Sequence, residues 1–102
     1  MPLEHTARAY FVQILKQMKI DQVIPASCVD ECVSESISSV RIEAKVLGRD
    51  ANYIRAETVK QLEFRADMLR FWIRGADAFS DTPWKVKYKS MFERHAIPRL
   101  GR

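Results

Sequence analysis

The chain has 102 residues, of which 47% are hydrophobic and 29% charged, with 3 Gly and 4 Pro; these proportions exclude disorder and a second domain and fit one compact unit. No apolar run approaches the roughly 18 residues of a membrane span, and the N-terminal MPLEHTARAY places Glu4 and His5 where a signal peptide carries cations, so a cytoplasmic protein is expected. The formal net charge of +4 is unevenly spread: residues 1–50 are net −1, whereas residues 82–102 hold six cations against Glu93 alone.

In the first segment Leu3, Ala7, Tyr10, Phe11, Ile14, Leu15 and Met18 recur at three- and four-residue steps, which predicts an amphipathic helix over residues 2–19. Residues 20–26 form a connection closed by Pro25. Ser27 then suits a helix cap, and Asp30 and Glu31 would lie in the first turn, near the positive end of the helix dipole. Val29, Val33, Ile37, Val40, Ala44 and Leu47 continue a helical stripe up to Gly48. Within it, residues 40–46 also alternate apolar and charged, the period of a half-buried strand, and Ser34, Ser36, Ser38 and Ser39 weaken helix propensity. The helix is the preferred reading, because the three-four stripe begins ten residues earlier and a lone strand needs partners.

Asp50 is a plausible cap for a long helix over about 50–79, carrying the stripe Ile54, Val59, Leu62, Ala66, Leu69, Ile73 and Ala76, widened by Tyr53, Met68, Phe71 and Trp72. At 1.5 Å per residue such a helix spans about 45 Å, more than the diameter of so small a domain, so a projection or a break near Gly75 is expected. Phe64 and Phe71 fall on a flank of this stripe, as a second packing face or an exposed partner surface. Thr82-Pro83 reads as a cap followed by proline in the first turn, and Trp84, Tyr88, Met91, Phe92 and His95 then share a face until Pro98. Residues 98–102 read as a frayed basic tail. The expected fold is all-α, a small bundle of about four helices; the alternative is α+β with strands near 38–47 and 84–90.

The candidate binding residues are Trp84, Lys85, Lys87, Tyr88, Lys89, Arg94, Arg99 and Arg102, with Phe64 and Phe71 on the flank. Interleaved aromatics and lysines let rings stack on bases while ammonium groups meet phosphates; in an amphipathic helix the same pattern is a core face and its solvated back. No helix-turn-helix, RNA-recognition or zinc-finger spacing accompanies it. Cys28 and Cys32 have neither redox nor zinc spacing and are expected as free thiols. Glu43-x-Lys45 with Asp30 upstream resembles the D…E-x-K constellation of restriction-endonuclease-like metal nucleases, which implies carboxylates on a divalent cation and a sheet of several strands. Neither His5 nor His95 has a Ser or Cys at a spacing known for nucleophilic catalysis, and the isolated Gly48, Gly75 and Gly101 form no phosphate loop.

These observations point to a non-enzymatic binding protein without metal or cofactor. Its expected role is an adaptor or inhibitor docking on a larger protein or nucleoprotein machine, with the general look of small inhibitors from phages or plasmids. The expected partner is a protein with an acidic surface; nucleic acid is the alternative, a second copy of the chain a further one, and a membrane is not expected.

Overall fold

Helix ends define this molecule. The computed structural model describes residues 2–101, and each of its four helices closes in the same way: α1 Leu3–Gln17, α2 Ala26–Leu47, α3 Ala51–Ile73 and α4 Pro83–Arg94. At Gly48 (φ 66°) the Arg49 N–H reaches back to the Ala44 carbonyl at 2.8 Å, and at Gly75 (φ 82°) the Ala76 N–H reaches Phe71 at 3.0 Å. Such left-handed closures satisfy carbonyls that the last turn leaves without a partner, and glycine enters them without a Cβ clash. Lys19 (φ 62°) and Ala96 (φ 56°) adopt the same geometry without being glycine, and the next residues, Ile20 and Ile97, bond back to Leu15 and Phe92. Both isoleucines are buried, so apolar burial offsets the left-handed strain there.

The three residues 48–50 between α2 and α3 force an antiparallel hairpin, and Asp50 caps α3 by accepting from the Tyr53 N–H at 3.1 Å. Glu4 pairs with Arg41 and Arg8 with Asp30, so α1 runs antiparallel to α2. On the other side of α2, Glu31 pairs with Arg94 and Cys32 meets Met91, so α4 also runs antiparallel to it. Successive helix residues point about 100° apart, which is why the neighbours Asp30 and Glu31 reach different helices. The core joins Phe11 and Leu15 of α1, Cys28, Val33 and Ile37 of α2, Leu62, Leu69 and Trp72 of α3, and Met91 and Phe92 of α4.

The expected all-α bundle of four helices is the fold observed, and among the described residues there is no strand: segments 38–47 and 84–90 lie within α2 and α4. Several boundaries differ from expectation. The long helix stops at Ile73 rather than near residue 79, at the break expected near Gly75, which turns the chain so that residues 74–82 return alongside α3. Helix α2 starts at Ala26 behind Pro25, so Ser27 lies inside the helix and Asp30 and Glu31 lie beyond its first turn. Thr82 is the residue before Pro83, but its hydroxyl accepts no bond from the helix. Leu47, at the end of the stripe, is 58% exposed, since neither α1 nor α4 reaches it. The tail is docked: the Leu100 and Gly101 N–H groups both donate to the Ile73 carbonyl, at 2.8 and 3.0 Å.

Candidate docking face and the Ser27–Glu31–His95 cluster

The aromatic residues singled out from the sequence divide between core and surface. Tyr88 is buried, stacks on Phe92 with ring centroids 6.0 Å apart, and lies under the Arg65 guanidinium at 5.2 Å; burial pushes its hydroxyl up from the ordinary tyrosine range. Trp84 and Phe64 stand 46% and 41% exposed with centroids 5.4 Å apart, so α3 and α4 together build one surface aromatic pair from residues 20 positions apart. Phe71 is 45% exposed and lies on the same flank of α3, about 10 Å further along the axis by helix rise.

The cations of the C-terminal segment are largely engaged within the molecule. Lys85 pairs with Asp81 at 3.3 Å and lies over the Trp84 ring; Arg94 grips Glu31 with two bonds; Arg99 donates to the Ala76 carbonyl and stacks on Trp72 at 4.1 Å. Among the described residues Lys87 and Lys89 make no ion pair. Lys87 borders a surface cavity of about 400 Å³ with Ser39, Ile42 and Arg65, and Lys89 borders one of about 300 Å³ with Trp72, Phe79 and Arg99. Arg102 lies outside the described residues. The basic segment therefore presents fewer available charges than its composition suggests, beside an exposed aromatic pair.

The other sequence candidates are dispersed. Asp30 is held by Arg8, and Glu43 accepts a hydrogen bond from the Tyr53 hydroxyl. Because α2 is one continuous helix, 13 positions separate Asp30 from Glu43 by about 20 Å, so these carboxylates cannot share a cation. Cys28 and Cys32 are free, buried thiols one turn apart; Cys32 meets the Met91 sulfur at 3.9 Å. The hydrogen bond to Cys28, together with burial, pushes the Cys32 thiol well up.

One cluster was not anticipated. Ser27 and Glu31, one turn apart at the start of α2, share a face on which His95, at the end of α4, comes to rest. Ser27 Oγ lies 3.0 Å from His95 Nδ1, and His95 Nε2 lies 2.6 Å from Glu31 Oε1. Hydrogen bonds from Arg94 and from His95 hold the Glu31 carboxyl at about 2, well below its ordinary value. The four-residue spacing of Ser27 and Glu31 was visible in the chain, but nothing there indicated that residue 95 would land between them.

No family model matches this chain, and neither a curated protein nor a solved structure matches it.

Proposed function

We propose that this protein acts by occupying a partner protein, as a small adaptor or inhibitor, and that it docks through the Phe64–Trp84 pair. The observation that carries the reading is that two large aromatic rings stand 41% and 46% exposed side by side on packed helices, with Lys85 lying over the Trp84 ring. Rigid aromatic side chains lose little conformational freedom on binding and supply much of the energy of an interface. Docking of this kind is occupancy, with no bond made or broken. The partner this face fits has an apolar pocket with carboxylates around it, where the unpaired Lys87 and Lys89 of α4 add longer-range attraction. The buried free thiols Cys28 and Cys32 suit a reducing cytoplasm.

The second reading is an accessory nucleic-acid-binding protein, favoured by the unpaired Lys87 and Lys89 on the helix that carries Trp84. Engagement of Lys85, Arg94 and Arg99 by internal partners ranks it below the protein partner.

The test is affinity purification of the tagged chain from its native host, with and without nuclease, in parallel with a Phe64→Ser/Trp84→Ser double variant. A partner retained after nuclease by the wild type and lost by the variant supports the docking face. Loss on nuclease treatment supports the nucleic-acid reading, and retention by the double variant overturns the face. Self-association through the same rings would appear as a wild-type dimer in sedimentation that the double variant abolishes.

A further inference from the structure

The end of α4 opposite the aromatic pair places a hydroxyl, an imidazole and a carboxylate in line. Ser27 Oγ is 3.0 Å from His95 Nδ1, and Glu31 Oε1 is 2.6 Å from His95 Nε2. A carboxylate on Nε2 keeps the imidazole proton there, which leaves the Nδ1 lone pair to accept the Ser27 O–H. Glu31 is itself anchored by Arg94, whose two nitrogens reach its two oxygens at 2.8 and 3.1 Å. The chain of contacts is therefore fixed from Arg94 through Glu31 and His95 to Ser27, the arrangement in which a serine hydroxyl becomes a nucleophile.

The local backbone supplies the remaining part. Ser27 is exposed and is the second residue of a 22-residue helix. The Pro25 carbonyl accepts from the Cys28 and Val29 N–H groups, whereas the N–H groups of Ala26 and Ser27 have no backbone acceptor among the described residues. These two donors lie at the positive end of a helix dipole, which favours negative charge near the Ser27 backbone. The His95 side chain is only 13% exposed, so water competes little for the base, while Ser27 itself faces solvent. An exposed nucleophile suits short acyl groups on good leaving groups.

We propose that Ser27, His95 and Glu31 form an acyl-transfer site that hydrolyses small esters through an acyl-serine intermediate. In the first half, Ser27 Oγ bonds to the ester carbonyl carbon and its proton passes to His95 Nδ1, with the Nε2–H held on Glu31. The tetrahedral adduct collapses, the bond to the leaving alkoxide breaks, and the Nδ1 proton leaves with it as alcohol. In the second half, water attacks the acyl-serine, gives a proton to Nδ1, and collapse returns that proton to Ser27 Oγ as the carboxylic acid departs. Ester and water become acid and alcohol, with no further reactant. Ser27 and His95 touch the reacting atoms; Glu31 is a positioning residue. This activity is independent of the docking face, and either reading can fail without the other.

The probes are p-nitrophenyl acetate and an alkyl fluorophosphonate, used on the full chain. The expected result is p-nitrophenol release that falls about 100-fold in Ser27→Ala, a typical loss when general-base-assisted chemistry is removed. The fluorophosphonate adduct should map to the peptide containing Ser27. His95→Gln and Glu31→Gln should slow that labelling while circular dichroism at the assay temperature stays helical. If either of these two variants unfolds, Ser27→Ala decides alone, because an exposed side chain is removed. Wild-type hydrolysis rates in a folded Ser27→Ala, or adducts on lysines with Ser27 unlabelled, overturn the proposal.

Discussion

Arg94 and Glu31, 63 residues apart in the chain, meet in a two-pronged pair at 2.8 and 3.1 Å that joins the end of α4 to the start of α2. The same carboxylate receives His95, so this corner of the fold depends on the ionised form of Glu31. Its folded-state value of about 2 lies below the ordinary 4.5. The stabilisation is therefore fully present above pH 4.5 and is lost as pH falls through the folded value near 2. Glu31→Gln should lower stability by about 1–2 kcal/mol at pH 7, a figure reduced for solvent screening of a surface pair, and the deficit should shrink below pH 4. Urea midpoints of both proteins at pH 7, 4 and 2.5 check this; a pH-independent difference would contradict it.

The flank of α3 can be tested two residues apart. Leu69 is fully buried in the core, so Leu69→Ala should cost about 2–5 kcal/mol, the range for emptying a leucine site. Phe71 is 45% exposed, so Phe71→Ala should change stability by less than about 1 kcal/mol. Denaturant midpoints separate the two, and comparable losses would place Phe71 in the core.

Lys19 and Ala96 close α1 and α4 with left-handed backbone that glycine adopts without strain. Relief of that strain is partly offset by the entropy glycine loses on folding. Lys19→Gly and Ala96→Gly should each stabilise by about 0.5–1 kcal/mol, whereas Gly48→Ala should destabilise, its φ being 66°. Thermal melts of the three variants test the signs.

Lys87 and Lys89 make no ion pair among the described residues, so Lys87→Glu with Lys89→Glu should leave the helical spectrum unchanged. Partner affinity should fall through lost long-range attraction. Titration at several salt concentrations separates the partner classes: a nucleic acid gives close to one log unit per log of salt for each phosphate neutralised, an acidic protein face a shallower slope. Undiminished affinity in the double variant would remove these lysines from the binding surface.

Apolar residues three and four apart form a continuous buried face only as a helix, so four helices and most of their inward residues are legible in the chain alone. Gly48, Gly75 and Asp50 marked ends correctly because a left-handed turn or a capping carboxylate is a local event. The closures at Lys19 and Ala96 were not legible, since they depend on burying Ile20 and Ile97 against other helices rather than on the turn residue. Likewise the place of each cation depends on packing between segments: Arg99 stacks on Trp72 only once the tail docks on the end of α3, and Arg94 meets Glu31 only once α4 lies antiparallel to α2. The Phe64–Trp84 pair and the Ser27–His95–Glu31 line are of the same kind. Each joins residues from different helices, and no periodicity within one segment records where another segment will pack.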